Sequence, residues 1–314
     1  MSKAGNKRTA SVVQAGSDPF DSAAAIAKFG DLLSQAKVAG SDLAVFPEAF
    51  IGGYPKGIDF GTRVGSRTEE GRELFRLYSD NAIVQGSETF AAISEAVAAN
   101  DMAVVVGIIE RKGGTLYCTA VGFERNGSVL GVHRKLMPTA MERLIWGMGD
   151  GGDLPIMDSS AGRLVSAICW ENYMPHLRSY YYDHQPDFYC APTVDDRKVW
   201  VPSMQHIAIE GRCFVLSACQ YQTRGMIGLG AEQYDAREGN DPGTMLINGG
   251  SCIVDPMGEI LAGPVYGEET ILTVEVDIET ITRSKFDRDV AGHYARPDIF
   301  ELRANVTPQK NVRS

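Results

Sequence analysis

Apolar and polar residues alternate along the chain in patterns that predict short buried strands separated by helices. The strand candidates are apolar runs rich in Val and Ile: "TASVVQAG", "DLAVFPE", "MAVVVGIIER", "RLVSAICW", "DFYCAPT", "CFVLSACQ" and "ILTVEVD". The third of these runs is almost continuous, so we expect that strand to be covered on both faces. Segments of helical composition predict helices over 21–40, 69–80, 175–184 and 200–212, and another that starts at Ser87.

Local signals define where several of these elements begin and turn. Ser87 is a good N-cap for a helix that carries Phe90, Ile93 and Val97 on one face. The pair Asn126-Gly127 predicts a hairpin, and "DPMG" predicts the turn of another. Because β-α-β units are mixed with hairpins, we predict an α/β fold with mixed sheets and outer helices. No repeat, linker or boundary is visible, so residues 1–314 are interpreted as one domain with a core over about 9–285.

Composition and charge narrow the class of protein. Of the 314 residues, 44% are hydrophobic and 22% charged, which is typical of a soluble globular protein. The formal net charge of -10 argues against nucleic acid as the main partner. The first ten residues lack an apolar stretch, and no apolar run approaches the ~20 residues of a membrane span, so neither a secretory signal nor a membrane segment is expected. Six widely spaced cysteines without a CxxC pair indicate reduced thiols in a cytoplasmic protein.

Three of the apolar strands end in a reactive side chain. Glu48 ends "LAVFPE", Lys135 ends "SVLGVHRK" and Cys169 ends "RLVSAIC". Strand ends are where sites gather in α/β sheets, so these side chains are candidates for one site. A carboxylate can take the thiol proton as sulfur attacks, and an ammonium can stabilise the negative charge that develops. Spacing alone leaves the alternatives open, namely a core cysteine, a capping glutamate and a solvated lysine.

Several other polar residues have a functional and a structural interpretation. His206 and Glu210 have the i,i+4 spacing of metal ligands, but a third ligand is missing, so a helix face is favoured. Asp195 and Asp196 are expected to cap the next helix rather than bind a cation. Glu171, soon after Cys169, could be mistaken for the base. Neighbouring positions on a strand point to opposite sides, however, so a structural ion pair is preferred.

Aromatic residues near these strand ends are candidates for a substrate pocket, because such pockets are usually apolar and aromatic. Tyr54, Trp170 and Tyr173 are the candidates for substrate binding, whereas Trp200 is interpreted as core. The cysteines other than Cys169 are also interpreted as core: Cys118, Cys190, Cys213, Cys219 and Cys252.

Four longer motifs resemble the nitrilase superfamily, and more narrowly its true nitrilase branch: "FPEAFIGGYPKG", "HRKLMPTAMERLIWGMGDG", "AICWENYMP" and "HIAIEGRCFVLSACQ". The resemblance covers about 12 to 301. It implies that Glu48 is the general base, Lys135 the catalytic lysine and Cys169 the nucleophile. It also implies that Glu142 is the second glutamate, which orients the lysine and the incoming water or substrate.

The same resemblance implies a four-layer α-β-β-α sandwich with two mixed β-sheets. It implies hydrolysis of a small-molecule nitrile to the acid and ammonia through a cysteine thioimidate and thioester, without a metal or organic cofactor. It further implies a homodimer that assembles into larger homo-oligomers or spirals. The segment "GHYARPDIFEL" lies in a tail over 286–314 that is expected to make subunit contacts.

Three alternatives stay open at this point. An amidase and a cyanide-hydrolysing enzyme belong to the same superfamily, and a protein that only assembles would carry a dead site. The side chain of the nitrile is also open, because aliphatic, arylaliphatic and aromatic substrates share these motifs.

Overall fold

The computed structural model describes residues 6–228 and 239–308, and their strands form two β-sheets. The strands are β1 Lys7–Gln14, β2 Leu43–Val45, β3 Ala103–Lys112, β4 Thr115–Phe123, β5 Val129–Arg134, β6 Met157–Ser159, β7 Gly162–Ser166, β8 Phe188–Cys190, β9 Phe214–Ser217, β10 Tyr221–Thr223, β11 Met245–Val254, β12 Ile260–Tyr266 and β13 Thr270–Asp277. The helices are α1 Ser22–Val38, α2 Glu69–Asp80, α3 Glu88–Asn100, α4 Pro175–Asp183, α5 Trp200–Gly211 and α6 Glu279–Lys285.

Each sheet has a parallel centre and antiparallel edges. The first sheet has the order β13-β1-β2-β3-β4-β5, in which β1, β2 and β3 run parallel. The second has the order β10-β11-β9-β8-β7-β6, with β12 paired to β11, and its strands β7, β8 and β9 run parallel. Parallel neighbours need crossover connections, and the helices provide them. The expectation of mixed sheets is therefore confirmed.

Alternating side chains along the strands separate the core into layers. Val12 of β1 points into the core between the two sheets, whereas the adjacent Val13 packs with Phe29 of α1 on the outer side. In the second sheet, Phe188 of β8 faces the core between the sheets and Tyr189 faces the helices α4 and α5. The order of layers is thus helix, sheet, sheet, helix, and the four-layer α-β-β-α sandwich is confirmed.

The local signals in the sequence were reliable where they rested on caps and turns. Ser87 caps α3 by accepting a hydrogen bond from the Phe90 amide at 3.2 Å, and Phe90, Ile93 and Val97 are buried. The Asn126-Gly127 hairpin joins β4 to β5, and the turn after Val254 joins β11 to β12. The middle of β3 is buried on both faces, as predicted.

Short elements were missed. The strands β6 and β10 have three residues each and α6 has seven, which is too short for a periodic pattern to emerge. Among the described residues, none of the helices combines the length and the apolar character that a membrane crossing requires.

Candidate active site

The side chain of Lys135 lies fully buried between two carboxylates. Its Nζ donates hydrogen bonds to Glu48 Oε1 at 2.6 Å and to Glu142 Oε2 at 2.8 Å. Lys135 directly follows β5, and its amide donates to the Cys118 carbonyl at 2.8 Å, which holds it beside β4. We refer to Lys135, Glu48 and Glu142 as the Lys135 cluster.

The Lys135 cluster holds two acids and one base, so its charges do not balance when all three are ionised. Burial raises the pKa of the Glu48 carboxyl to about 7, Lys135 opposes that rise, and Glu142 adds to it. Burial lowers the pKa of Lys135, but the neighbouring Glu48, Cys169 and Glu142 outweigh burial and leave it well above its usual value. The lysine is therefore an ammonium, and the cluster can hold one further proton on Glu48 near neutral pH.

Glu48 reaches the cluster because its loop lies directly against β3. A Cβ atom on Gly107 of β3 would be 2.2 Å from the Pro47 carbonyl oxygen and 2.8 Å from the Glu48 Cα. Only glycine permits this approach between the two backbones. On the other side, Gln220 Nε2 donates to the Glu48 carbonyl at 2.7 Å. The loop is thus held from both sides.

The two oxygens of Glu48 have different surroundings. Oε1 accepts from Lys135 and also from the Cys118 thiol, whose Sγ is 3.5 Å away. Oε2 is buried and accepts no hydrogen bond by geometry among residues 6–228 and 239–308, although the Cys169 thiol lies close enough to lower the pKa of this carboxyl. A buried carboxylate oxygen without a partner is costly, and it is also available to accept a proton.

Cys169 lies at the start of a 3₁₀ turn, Cys169–Tyr173, three residues after β7. Its φ angle is +52°, a left-handed backbone conformation that costs a residue other than glycine about 1 kcal/mol or more. Two hydrogen bonds hold the turn: the Cys169 amide donates to the Pro192 carbonyl at 2.8 Å, and Asn172 Nδ2 donates to the Cys169 carbonyl at 2.7 Å. The cysteine is therefore kept in a strained position by its surroundings.

The surroundings of Cys169 favour the thiol over the thiolate. Burial raises the pKa of Cys169 most, the Glu48 carboxylate raises it further, and Lys135 and a hydrogen bond with Thr193 oppose the rise. Because the thiolate is the reactive form, the proton has to leave during attack. The neighbouring Glu48 is a base that could take it.

Tyr54 connects the Lys135 cluster to a cavity. Its hydroxyl donates to Glu142 Oε1 at 2.8 Å, and its ring meets the Trp146 ring edge-on at 5.6 Å between centroids. Tyr54, Glu142 and Trp146 line a cavity of about 400 Å³, together with other residues of the segments 55–63 and 141–145. This cavity is large enough for a small organic molecule.

Comparison with known proteins places the chain in a family. A family model described as carbon-nitrogen hydrolase matches residues 9–286. The chain belongs to the carbon-nitrogen hydrolase family. It is 52% identical to a nitrilase from Bradyrhizobium diazoefficiens, over 98% of this chain and 95% of that protein. It is also 50% identical to an aliphatic nitrilase from Sinorhizobium fredii, over 98% of each chain. Membership of the true nitrilase branch of the nitrilase superfamily is therefore confirmed.

The fold comparison agrees with the sequence comparison. The crystal structure of Saccharomyces cerevisiae Nit3, a member of branch 10 of the nitrilase superfamily, matches with a TM-score of 0.69 at 18% identity. The match covers 92% of this chain and 97% of that one. At this level of identity the likeness extends to the fold alone.

In this carbon-nitrogen hydrolase the two outer aromatic candidates lie apart from the cavity. Trp170 is 43% exposed and Tyr173 is 42% exposed, and neither lines the cavity beside Tyr54. Trp170 Nε1 donates to Asp195 Oδ2 at 2.8 Å. Their role in substrate binding stays a prediction. Trp200 is buried and donates to Ser217 Oγ at 2.8 Å, so its placement in the core is confirmed.

Two of the structural interpretations need correction. Asp195 and Asp196 do not cap α5, because the N-cap position is Val199 and lacks a side-chain hydrogen bond. Asp195 instead bonds Trp170 and Arg197. Asp196 accepts from the backbone amide of residue 248 at 2.9 Å. A pair of acids shortly before a helix resembles a cap in sequence, but here Asp195 bonds the 3₁₀ turn that holds Trp170 and Asp196 bonds strand β11.

The strand argument for Glu171 was also wrong, although the ion pair exists. Glu171 lies two positions after Cys169, which on a strand would put both side chains on the same side, and Cys169–Tyr173 is in fact a 3₁₀ turn, so alternation does not apply. Glu171 is fully buried and pairs with His133.

His206 and Glu210 share a face of α5, with His206 Nε2 3.6 Å from Glu210 Oε1, as the helical interpretation predicted. In the described ranges, no group of three or more His, Cys, Asp or Glu side chains is arranged to hold a metal ion.

Sequence reasoning missed the residues that hold the site together: Gly107, Cys118, Asn172 and Gln220. A glycine inside the β-branched run of β3 was a usable signal, because such a glycine often marks close approach of another backbone. The other three gave no comparable signal, since their partners are contacts made only in the folded chain.

Proposed function

We propose that this protein is a nitrilase that hydrolyses an organic nitrile to the carboxylic acid and ammonia, with Cys169 as the nucleophile. The observation that carries the proposal is the Glu48 carboxylate, which accepts from the Lys135 ammonium and lies close enough to the strained, buried Cys169 thiol for each group to shift the pKa of the other. This arrangement offers a nucleophile, a base and a cation within one small volume.

The first half of the reaction forms a thioimidate. The Cys169 sulfur attacks the nitrile carbon, Glu48 takes the thiol proton, and the proton passes to the nitrile nitrogen to give R–C(=NH)–S–Cys169. As charge develops on nitrogen, the Lys135 ammonium and the backbone N–H of Trp170 stabilise it. Glu142 keeps Lys135 in position by accepting from its Nζ at 2.8 Å, and the Tyr54 hydroxyl holds Glu142 by donating to its other oxygen at 2.8 Å.

The second half consumes two waters. Glu48 removes a proton from the first water, which adds to the thioimidate carbon and gives R–C(OH)(NH₂)–S–Cys169. Loss of ammonia with formation of the carbonyl leaves a thioester. The second water, activated in the same way, releases the acid and restores the thiol.

The relatives support nitriles as the substrate class. The Bradyrhizobium and Sinorhizobium proteins are named nitrilase and aliphatic nitrilase, and both align along almost the whole chain. The alternatives, an amidase and a cyanide-hydrolysing enzyme, use the same carbon-nitrogen bond chemistry and are decided by assay.

The test compares ammonia release from phenylacetonitrile, phenylacetamide and cyanide, with a panel of aliphatic and aromatic nitriles beside them. We expect at least one organic nitrile to be hydrolysed faster than its amide and faster than cyanide. If the amide is hydrolysed faster than every nitrile, the protein is an amidase and the proposal is wrong. If cyanide is hydrolysed fastest, the protein is a cyanide-hydrolysing enzyme.

A second test concerns the nucleophile. Cys169→Ala should abolish hydrolysis, whereas Cys252→Ala, which removes a buried thiol from the outer core of β11, should retain it. Mass spectrometry of the denatured wild type after brief exposure to a slow nitrile should find an acyl adduct on the peptide that holds Cys169. Full activity of Cys169→Ala would contradict the role of Cys169 as the nucleophile.

The assembly and location of the protein are also proposals. We infer one domain with a tail over 286–314 that makes subunit contacts in a homodimer, and further assembly into larger oligomers or a helical filament. Support comes from exposed apolar residues of this tail, among them Phe300 at 76% exposure, beside a groove against α4. All six cysteines are unpaired, which fits the cytoplasm. Light scattering and electron microscopy of the purified protein test the assembly.

A further inference from the structure

A second buried ion pair lies two residues before Lys135. His133 and Glu171 are both fully buried, and His133 Nε2 is 2.8 Å from Glu171 Oε2. We refer to these two residues as the His133 pair. The chemistry described above does not use them. Burying two charged residues in a core costs desolvation free energy, which makes the retention of this pair worth explaining.

The hydrogen bonds of His133 define its protons. Its Nδ1 lies 2.5 Å from the Asp153 carbonyl oxygen, which can only accept, so Nδ1 carries a hydrogen. A second proton lies between Nε2 and the Glu171 carboxylate. Burial lowers the pKa of His133, but Glu171 and Asp153 outweigh burial and raise it above its usual value. The raised pKa of His133 favours an imidazolium, and the two backbone amides that donate to Glu171 suit a carboxylate opposite it.

Glu171 also binds the backbone on both sides of the site. Its Oε1 accepts the Leu136 amide at 2.6 Å, and its Oε2 accepts the Ile168 amide at 2.7 Å. Leu136 directly follows Lys135, and Ile168 directly precedes Cys169. One carboxylate thus connects the end of β5 to the cysteine turn, between segments more than thirty residues apart in the chain.

A neighbouring ion pair lacks this connection and serves as a comparison. Arg134 lies between His133 and Lys135 and pairs with the buried Glu110 at 2.7 Å. Glu110 also accepts from Gln85 and Thr119. None of these three partners belongs to the Cys169 turn. Both acids are buried, and each contacts a residue next to Lys135, but of the two only Glu171 also contacts a residue next to Cys169, namely Ile168.

We propose that Glu171, held by His133, is a positioning residue that sets the distance between the Lys135 ammonium and the Cys169 sulfur, and thereby the ratio of acid to amide released. The inference rests on the proposed nitrile hydrolysis.

The ratio depends on which bond breaks in the tetrahedral intermediate R–C(OH)(NH₂)–S–Cys169. If the nitrogen takes a proton and the C–N bond breaks, the hydroxyl proton is lost, the carbonyl forms, and ammonia and a thioester result. If the C–S bond breaks, the carbonyl also forms, the amide R–C(=O)NH₂ leaves, and the hydroxyl proton passes to the sulfur. The first outcome needs the proton held by the Lys135 cluster to reach the nitrogen. A displaced cysteine turn weakens that transfer and favours the amide.

The experiment measures acid and amide by chromatography from phenylacetonitrile, or from the nitrile that the wild type converts fastest. In the full-length protein, Glu171→Gln places an amide NH₂ opposite backbone N–H groups and should loosen the connection. We expect the amide fraction to rise about threefold or more and kcat to fall about tenfold or more, with KM within about twofold. His133→Gln keeps a donor toward Glu171 and leaves the two backbone bonds of Glu171 in place. It should therefore raise the amide fraction and lower kcat, each by less than Glu171→Gln does.

Glu110→Gln is the matched control, since it also removes a buried acid beside β5. It should lower the melting temperature without changing the amide fraction. An unchanged amide fraction in folded Glu171→Gln overturns the inference, and so does an equal rise in Glu110→Gln. If Glu171→Gln does not fold, an unchanged fraction in His133→Gln overturns it. Failure of the proposed function is distinct, because the wild type itself would then release no acid from any nitrile in the panel.

Discussion

Two buried clusters at the end of β5 both combine cations with carboxylates, but they differ in the ratio of cations to carboxylates. In the His133 pair, one cation meets one carboxylate, and both oxygens of Glu171 accept hydrogen bonds. In the Lys135 cluster, one cation is shared by two carboxylates, and Glu48 Oε2 lacks a partner among the described residues. The first cluster is satisfied, and the second holds excess negative charge and an open acceptor.

The difference teaches which buried charges are structural and which are available for chemistry. A balanced and fully bonded pair can tie two segments together. In the Lys135 cluster, burial and the second carboxylate, Glu142, raise the pKa of Glu48 to about 7, so this carboxyl can exchange a proton with a substrate near neutral pH. Four substitutions test this comparison, and they follow in order of decreasing expected effect.

The largest effect is expected from Lys135→Met, which removes the shared cation. We expect kcat for nitrile hydrolysis to fall by about 10³-fold, because the developing charge loses its stabilising ammonium. The free energy of unfolding should also fall, by about 3 kcal/mol, because an unpaired carboxylate remains in the core. Ammonia release and urea unfolding measure the two effects. Retention of more than a tenth of the activity would contradict the role of the lysine.

Glu142→Gln removes the excess negative charge and should lower kcat by about 10²-fold. Hydrolysis needs ionised Glu48, so kcat/KM of the wild type should rise with pH through about 7, where the pKa of Glu48 lies. Since Glu142 raises that pKa, its neutralisation should move the rise to lower pH. A pH profile of kcat/KM measures this. Glu110→Gln, which leaves the Lys135 cluster intact, should keep the wild-type profile, and a shift to higher pH in Glu142→Gln would contradict the charge argument.

Tyr54→Phe removes one hydrogen bond to Glu142 while it keeps the ring against Trp146. A single such bond contributes about 1 kcal/mol, so kcat/KM should fall about fivefold. The melting temperature should change little, because the apolar contacts remain. A loss as large as that of Glu142→Gln would mean that the tyrosine itself takes part in the reaction.

The smallest effect is expected from His206→Ala. His206 and Glu210 repeat the residue types of the His133 pair on the surface of α5, at 3.6 Å and with the histidine 64% exposed. Exposed pairs contribute little, so the free energy of unfolding should change by less than about 0.5 kcal/mol. Chemical denaturation beside His133→Gln gives the comparison. An equal loss in both variants would show that burial does not separate the two pairs.

Prediction from the sequence succeeded where the information is local. The cap at Ser87, the hairpin at Asn126-Gly127 and the apolar run of β3 each depend on neighbouring residues. The motifs around Glu48, Lys135 and Cys169 indicated the family, and the family in turn predicted the four-layer fold. The functional roles of these residues stay predictions until the assays are done.

Prediction failed where a residue is defined by a distant partner. Asp195 looked like a helix cap and instead bonds Trp170 and Arg197. The local geometry around Glu171 was misjudged, because a strand was assumed where the chain makes a 3₁₀ turn. The glycine at position 107 is visible in the sequence, but the sequence does not show that the loop of Glu48 packs against it.

By itself, the amino-acid sequence determined the order of the longer elements, the family and the reactive residue types, because these follow from local propensity and from motifs. The sequence already indicated Lys135 and Glu48 as members of one site, whereas only the tertiary structure decided which carboxylates His133 and Arg134 meet. The successive cations His133, Arg134 and Lys135 pair with Glu171, Glu110 and Glu48 respectively, through contacts that span dozens of residues. The reason is physical: burial strengthens each of these interactions, and burial exists only once the two sheets have packed together.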